Sequence, residues 1–217
     1  MSPLFRGIAP DEGRALMERL GASVRCIPKG GVVLREGQLK RNVGILLDGT
    51  LEMFETDADG CRSMVGTVNP PGSFAQVFAF AAVERHPATV VARTEAQILV
   101  IPLAHILPRA GVELDAVHRR FVENMLADIS ETAWRLRSRA FILSRRSTAE
   151  RLLTYLRQCG TTAGVAEFDI PFDRQGLADF LCVDRSALST VIGRLAKKGV
   201  LAYRKNHFKL LRSPQAI

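Results

Sequence analysis

Glycine interrupts the apolar sequence between residues 24 and 103 every few positions, which limits the regular structure this segment can form. The apolar or alternating runs left between the glycines are short and typical of strands; they cover residues 32–34, 43–47, 51–55, 63–68 and 96–101. Asp48-Gly49 and Asp59-Gly60 lie between such runs and predict tight hairpin turns, because glycine adopts a positive φ at little cost. Many short strands at this spacing predict an antiparallel sandwich or jelly roll.

The composition is that of an ordinary globular chain: 217 residues, 47% hydrophobic and 24% charged, which fits one or two domains. No window reaches the run of about 18 uncharged apolar residues that a membrane span requires, and the first ten residues lack a signal-peptide pattern. We therefore expect a cytoplasmic protein with no membrane partner. The four cysteines have neither metal-site nor disulfide-framework spacing, so no metal site is predicted.

The net charge of +8 is confined to the C-terminal part of the chain. Residues 138–217 hold 14 Lys/Arg against 6 Asp/Glu, whereas residues 1–137 hold 16 of each. This asymmetry is typical of a protein in which one part senses and the other binds a polyanion. Charge alone does not separate nucleic acid from an acidic membrane surface.

A long helix is predicted over residues 113–139. Its apolar seam follows alternating steps of four and three, the heptad pattern of a coiled coil, at His118, Val122, Met125, Ile129, Thr132 and Leu136. A helix of roughly 27 residues is about 40 Å long, more than a small domain covers. We expect the seam to pair with a second copy of the chain; the alternative is that it packs on its own sandwich.

Local capping signals define the elements that follow. Ser147 and Glu150 form a capping box that opens an amphipathic helix to about residue 158, followed by a predicted loop at residues 159–164 and a strand at residues 167–172. Asp173 and Asp184 are N-cap residues of two short helices joined by a turn at residues 182–183, and Gly199 ends the second. This pattern predicts a helix-turn-helix, whose second helix fits a major groove about 12 Å wide.

The exposed N-terminal face of the second helix carries the groups that we expect to read DNA. Arg185 can fork onto guanine or bind a phosphate, and the hydroxyls of Ser186, Ser189 and Thr190 can bind bases or backbone. A wing hairpin predicted at residues 200–211 adds basic residues for phosphate contacts, at Arg204, Lys205 and Lys209. A helical hairpin in an enzyme core would explain neither this polar face nor the charge, and the sequence carries no catalytic motif, so we predict that the protein is not an enzyme.

The order of these segments, with the run R-Q-x-L-A-D-F-L-x-V-x-R-S-A-L-S at residues 174–189, resembles the Crp/Fnr family of bacterial transcription regulators over roughly residues 10–212. Further motifs of the family lie in the roll: Pro28-Lys29-Gly30, Arg35-Glu36-Gly37, Leu47-Asp48-Gly49-Thr50-Leu51, Pro71-Gly72-Ser73-Phe74 and Leu99-Val100-Ile101-Pro102. The resemblance implies an α+β fold with an N-terminal antiparallel β jelly roll (residues 1–112), a central dimerisation helix (113–139) and a C-terminal winged helix-turn-helix (140–217).

The resemblance also implies partners. They are a second copy of the chain, double-stranded DNA with a palindromic operator, and RNA polymerase if the protein is an activator. Arg174 and Gln175 join the expected DNA contacts by their match to the family. The recognition run departs from the usual Arg-Glu-Thr-Val-Ser/Gly-Arg, since it keeps the first Arg and lacks the Glu and second Arg, so the standard half-site is not expected. Cys182 stands where the family commonly has Gly.

The residues that bind cyclic nucleotides in relatives are replaced in this chain. The family's Phe-Gly-Glu corresponds to Phe74-Ala75-Gln76, and its phosphate-gripping Arg-Ser pair to His86-Pro87. Proline offers neither a hydroxyl nor a backbone N–H to a phosphate. We predict that the roll does not bind cyclic AMP and that a different small molecule gates DNA binding, in a pocket formed by Phe74, Ala75, Gln76, His86, Pro87 and Met125.

Two alternatives of the same architecture stay open. One is gas or redox sensing through haem or a thiol, for which His86, His105, His118 and Met64 are candidate haem ligands and Cys182 a candidate thiol. The other is a cyclic-nucleotide-binding regulatory subunit, which the helix-turn-helix and the missing phosphate Arg both oppose. No cofactor is predicted from the sequence itself.

Overall fold

A computed structural model describes residues 2–39, 42–57, 59–81, 84–107 and 113–211 of the chain. Contacts divide the chain into two compact units, Met1–Thr132 and Ala133–Ile217. Seven α-helices lie in the described part, together with a short 3₁₀ helix at Pro3–Phe5: α1 (Pro10–Arg19), α2 (Gln76–Ala79), α3 (Leu103–Ile106), α4 (Ala116–Leu143), α5 (Thr148–Ala163), α6 (Arg174–Leu181) and α7 (Arg185–Lys197). None of the helices in the described ranges combines the length and apolarity needed to cross a membrane.

The first unit is a β sandwich. Its strands are β1 (Ser23–Ile27), β2 (Val32–Leu34), β3 (Asn42–Asp48), β4 (Leu51–Thr56), β5 (Arg62–Val68), β6 (Ser73–Phe74), β7 (Thr89–Ala92) and β8 (Ala96–Pro102). They form two four-stranded antiparallel sheets, in the orders β1-β8-β3-β6 and β2-β7-β4-β5. This arrangement confirms the predicted antiparallel roll, and β1, β6 and β7 are strands that the runs of apolar residues did not reveal.

One of the two predicted hairpins is wrong. Asp59-Gly60 lies in the connection between β4 and β5, which pair with each other as predicted. Asp48-Gly49 instead leads from β3 to β4, which belong to different sheets. Gly49 has a φ of 90°, and a Cβ there would lie 2.3 Å from the carbonyl oxygen of Glu95. The glycine is therefore required where the chain passes from one sheet to the other, close to the backbone before β8.

The roll holds two apolar clusters. One lies between the sheets and includes Leu46, Leu51 and Ile98. The other joins the N-terminal segment and α1 to the outer side of the roll and to the first half of α4, through residues such as Leu16 and Phe121. The long helix is thus anchored on its own sensor unit along part of its length.

This anchoring corrects the predicted dimer seam. His118 and Met125 are 7% and 2% exposed and lie in the core of the same chain, so they do not present a surface to a second copy. The prediction failed at these positions because burial against the roll follows the same heptad spacing. Among the apolar positions of α4 that remain half-buried or exposed, one set keeps steps of four and three and shares three residues with the predicted seam; it comprises Val122, Leu126, Ile129, Ala133, Leu136 and Ala140.

The second unit packs α5, α6 and α7 with a three-stranded antiparallel sheet of order β10-β11-β9. The strands are β9 (Glu167–Asp169), β10 (Leu201–Arg204) and β11 (His207–Leu210). Ser147 and Glu150 form the predicted capping box. The predicted loop over residues 159–163 is wrong, since α5 continues to Ala163 and ends at Gly164 in the left-handed region. Gly160, within this helix, packs beside the Phe168 ring, where a Cβ would lie at 3.1 Å.

An ionic cluster connects β11 to β9. The two ring nitrogens of His207 lie 3.0 Å from Glu167 Oε1 and 3.1 Å from Asp169 Oδ1, and Lys209 Nζ lies 2.8 Å from Glu167 Oε2. Only the imidazolium can donate from both nitrogens at once. Hydrogen bonding to Glu167 and then to Asp169 raises the pKa of His207 above its ordinary value.

We predict that this cluster makes the stability of the second unit depend on pH. Because the folded-state pKa of His207 is raised, its contribution is complete below the unfolded pKa of about 6.5 and is lost as the pH rises through the folded value. Thermal unfolding of the wild-type chain should therefore show a fall in Tm as the pH rises above about 6.5, and this fall should be smaller in the His207→Gln variant. Identical pH profiles for the two proteins would contradict the assignment.

Candidate nucleic-acid interface and effector site

The orientation of α7 is fixed by its buried side. Leu188 and Ile192 are fully buried with α5 and α6 in the core of the second unit. The opposite side is polar and open to solvent, and it carries the predicted reading residues Arg185, Ser186, Ser189 and Thr190. The helix presents these groups as a second helix of a helix-turn-helix must if it is to enter a major groove.

Asp184 caps α7 as predicted. Its Oδ1 accepts hydrogen bonds from the backbone N–H groups of Ser186 and Ala187 at 2.7 and 3.0 Å, and from the Ser186 hydroxyl at 2.5 Å. These bonds, led by the hydroxyl, hold the pKa of Asp184 below its usual range. The carboxylate therefore satisfies the first N–H groups of the recognition helix and also fixes the Ser186 side chain.

The other two hydroxyls are bonded within the helix. Ser189 Oγ donates to the carbonyl of Arg185 at 2.9 Å, and Thr190 Oγ1 donates to the carbonyl of Ser186 at 3.1 Å. In this arrangement each hydroxyl hydrogen is used inside the helix, and the oxygen lone pairs remain available to accept a hydrogen bond from outside. Contacts to bases can then use these hydroxyls as acceptors without rotation, whereas donation to a base requires the internal bond to be exchanged.

The predicted DNA contacts on α6 are engaged with the protein. Arg174 Nη2 donates to the carbonyl of Lys205 at 3.3 Å, and its guanidinium lies 5.5 Å from the ring centre of Tyr203. Burial lowers the pKa of Arg174, which stays charged because an arginine starts so high. Gln175 Nε2 donates to Asp179 Oδ1 at 2.8 Å. Arg174 thus supports the wing turn as well as lying near the reading face.

A groove of about 560 Å³ opens where α6, α7 and the wing turn meet. Three basic residues line it, and the full lining is Pro171, Phe172, Asp173, Arg174, Arg185, Ser189, Lys205 and Asn206. Lys205 adopts a φ of 55° at the tip of the wing. Arg204 is exposed beside this tip, while Lys209 lies further along β11 and pairs with Glu167 at 2.8 Å. Of the basic residues predicted to contact DNA, Arg185, Arg204 and Lys205 are exposed and have no side-chain hydrogen bond or ion pair in the described structure.

In the roll, the residues that correspond to the family's ligand pocket are largely buried. Phe74, Gln76 and His86 are 5%, 6% and 4% exposed, and Pro87 is half-buried. Phe74 lies over Gly44, where a Cβ would fall 2.0 Å from its ring. Ala75 adopts a φ of 68°, a conformation suited to the glycine that relatives carry there.

A hydrogen-bonded polar cluster joins this loop to α4. Gln76 Nε2 donates to Ser73 Oγ at 2.7 Å and to Asp128 Oδ2 at 3.1 Å, and Ser73 Oγ donates to the same carboxylate oxygen at 2.7 Å. Gln76 Oε1 is buried without a hydrogen-bond partner in the described structure. Ser73 and Asp128 were missed by the sequence analysis, because no motif links two polar residues 55 positions apart.

Two of the candidate haem ligands are already bonded to backbone carbonyls. His105 Nδ1 lies 2.8 Å from the oxygen of Leu20, and His118 Nε2 lies 2.9 Å from the oxygen of Ile106. His118 also lies among the buried residues of the roll. A haem axial bond at either of these nitrogens would require that hydrogen bond to break, which weighs against haem sensing at these two positions.

Sequence profiles of two known domains match the chain on either side of α4. The profile of the cyclic nucleotide-binding domain matches residues 24–108, and that of the Crp-like helix-turn-helix domain matches residues 144–215. The first match covers the roll with its altered pocket residues, and the second covers α5 to β11.

Two curated relatives are regulatory proteins. The nitrogen fixation regulation protein FixK of Azorhizobium caulinodans is 22% identical over 224 residues, covering 100% of this chain and 87% of the relative. A probable transcriptional activator of Rhizobium leguminosarum bv. viciae is 25% identical over 183 residues, covering 82% of this chain and 72% of the relative.

Solved structures share the fold. The catabolite activator protein of Thermus thermophilus superposes with a TM-score of 0.51 at 21% identity, covering 96% of this chain and 93% of that one. The c-di-GMP responsive global regulator CLP of Xanthomonas campestris has a TM-score of 0.52 at 16% identity, covering 92% and 100%. With the two domain matches in this order and the winged helix-turn-helix in place, the chain belongs to the Crp/Fnr family of DNA-binding transcription regulators, which are not enzymes.

Proposed function

We propose that the protein is a cytoplasmic homodimer that binds a palindromic operator through α7, and that a small molecule other than a cyclic nucleotide controls this binding from the roll. The observation that carries the proposal is the exposed polar face of α7, held outward by the burial of Leu188 and Ile192. An activator role, through contact with RNA polymerase, is favoured by the curated relative described as a probable transcriptional activator.

The dimer is proposed from the apolar positions on α4 that the chain itself leaves uncovered. Leu126 and Leu136 are 63% and 60% exposed, and with Val122, Ile129 and Ala133 they follow a heptad spacing. Pairing of two such helices would bury these side chains and bring two reading helices to one DNA site of two-fold symmetry.

Control from the roll is supported by the Ser73, Gln76 and Asp128 cluster. It joins the loop at the start of α2 to the helix that carries the proposed dimer seam. A ligand that supplied a hydrogen-bond donor to the buried Gln76 Oε1, or that displaced Gln76 from Asp128, would change how this loop is held on α4. The pocket residues that remain in this proposal are Phe74, Ala75, Gln76, His86 and Pro87, while Met125 contributes to the core behind them.

We predict that Arg185→Ala weakens binding to a selected operator by about 1–3 kcal/mol, or roughly 10- to 100-fold, because a bidentate contact is lost. The matched control is Arg194→Ala, which removes the same charge from the last turn of the same helix. Fluorescence anisotropy on the selected duplex should separate the two variants, and equal losses would mean that α7 acts only through its overall charge.

A charge placed in the proposed seam should separate the dimer. Leu126→Glu is expected to weaken self-association by about 3 kcal/mol or more, since an unpaired carboxylate would be buried. Ala127→Glu introduces the same charge about 100° further round the helix and should leave the dimer intact. Sedimentation equilibrium measures the outcome, and a wild-type chain that stays monomeric at micromolar concentration would contradict the dimer.

We expect that the protein does not bind cyclic nucleotides. The ribose carboxylate is an amide in Gln76 that already bonds to Asp128, and Pro87 has no N–H for a phosphate. Titration calorimetry with cyclic AMP and with cyclic GMP should give no saturable heat at ligand concentrations up to about 1 mM, which corresponds to binding weaker than about −4 kcal/mol. A low-micromolar isotherm with either nucleotide would refute this.

A further inference from the structure

Arg151, in the first turn of α5, bonds to three backbone carbonyls of the second unit. Its Nε donates to the oxygen of Arg145 at 3.0 Å, and its Nη1 donates to the oxygens of Leu181 and Cys182 at 3.2 and 3.4 Å. Arg145 lies in the short connection between α4 and α5, whereas Leu181 and Cys182 form the end of α6. One half-buried guanidinium therefore joins this connection to the turn of the helix-turn-helix.

The carbonyls at the end of α6 need a partner of this kind. The last C=O groups of a helix lack intrahelical donors and carry partial negative charge, so a guanidinium there is favourable in both respects. A single arginine presents several N–H groups in a rigid plane and can serve more than one carbonyl at a time. Lysine offers a single ammonium on a flexible stem and cannot reproduce the same set of contacts.

The turn that Arg151 holds has an unfavourable backbone conformation. Cys182 has φ 52° and ψ 54°, in the left-handed region where a Cβ is disfavoured and glycine is not. Its N–H bonds to Asp179, and the N–H of Val183 bonds to the carbonyl of Ala178 at 3.0 Å, which closes the end of α6. Local bonds and Arg151 together keep a residue with a side chain in a conformation typical of glycine.

The direction of the recognition helix depends on this turn. Val183 and Asp184 alone separate Cys182 from the first residue of α7, and Asp184 is already fixed as its N-cap. A change in the peptide at Cys182 would therefore tilt the start of α7, where Arg185 and Ser186 lie. Arg151 itself bonds to carbonyls on the far side of the turn and is not among the residues lining the basic groove.

We propose that Arg151 is a positioning residue for DNA recognition, which sets the orientation of α7 by holding the left-handed turn at Cys182 to the connection before α5. The proposal rests on the proposed reading of DNA by α7. Arg151 is needed to hold the turn because Cys182 occupies a position better suited to glycine. The effects of substituting the two residues on DNA binding should therefore be energetically coupled.

The test is a double-mutant cycle between Arg151→Met and Cys182→Gly. Arg151→Met should weaken binding to the selected operator about 10-fold or more, which is about 1.4 kcal/mol. Cys182→Gly alone should bind within about threefold of wild type, and in its background the loss from Arg151→Met should shrink to threefold or less, because glycine holds the turn without help. Arg157→Met, on the same helix, is the matched control and should bind like wild type.

Two further readouts separate positioning from the alternatives. If Arg151 contacted a phosphate, Arg151→Met would reduce the magnitude of the salt slope by about 0.9 for each copy of the chain, whereas loss of a positioning residue leaves the slope unchanged. Amide hydrogen exchange of the DNA-free chain should be faster at Cys182 and Val183 in Arg151→Met, and restored in the double variant. This second measurement does not depend on DNA, so it distinguishes failure of the positioning role from failure of DNA binding as a whole.

Three results would overturn the proposal. One is that Arg151→Met weakens DNA binding as much in the Cys182→Gly background as in the wild-type chain. The others are a smaller salt slope in Arg151→Met, or an amide exchange rate at Val183 that Arg151→Met does not change. If Arg151→Met does not fold, Arg151→Lys replaces it in the same cycle. Lysine can keep one of the three hydrogen bonds, so Arg151→Lys should lose part of the affinity for the operator, and Cys182→Gly should again reduce this loss. An affinity equal to wild type for Arg151→Lys would also overturn the proposal.

Discussion

Burial of one side of α7 is the interaction on which the nucleic-acid interface depends. Leu188 and Ile192 pack with α5 and α6 in a single core, and this packing leaves Arg185, Ser189 and Thr190 on the outer side. The Asp184 cap then orders the start of the helix, where the reading residues lie. Because the core fixes the face and the cap fixes the end, the proposed contacts to DNA would come from a rigid element, which favours specific contacts over loose electrostatic attraction.

Local signals in the sequence were sufficient to predict where the helices of the second unit begin, but not the end of α5, which continues through the loop predicted at residues 159–163. Each capping residue forms a hydrogen bond with a backbone N–H group no more than three residues away. All four of these residues cap a helix as predicted; they are Ser147, Glu150, Asp173 and Asp184. Features that depend on packing between residues far apart in the sequence could not be predicted from local signals. The heptad on α4 gave the right spacing and placed Val122, Ile129 and Leu136 in the proposed seam, but it wrongly included His118 and Met125, because nothing in the local pattern shows that the roll already covers these two residues. The predicted hairpin at Asp48-Gly49 failed for the same reason, since sheet pairing is set by residues far along the chain.

The chain departs from its family at two left-handed positions in a similar way. Ala75 and Cys182 stand where relatives commonly carry glycine, and both keep the positive φ. Each lies beside a polar group that the sequence did not single out: Asp128 bonds to the loop after Ala75, and Arg151 bonds to Cys182 itself. The sequence shows the loss of the family's phosphate-binding Arg and both glycine replacements, but it does not show their polar partners. The hydrogen bonds of these partners join residues 31 and 52 positions apart.

The net charge of +8 lies in residues 138–217, and in the proposed function it serves to bind DNA phosphates. The most direct test is the salt dependence of wild-type binding to a selected duplex. Release of counterions gives a slope of about −0.9 in log K against log salt for each phosphate neutralised, so phosphate contacts from Arg204 and Lys205 in both copies predict a steep slope of about −3.6. A flat slope, or no binding to any duplex at low salt, would contradict the account.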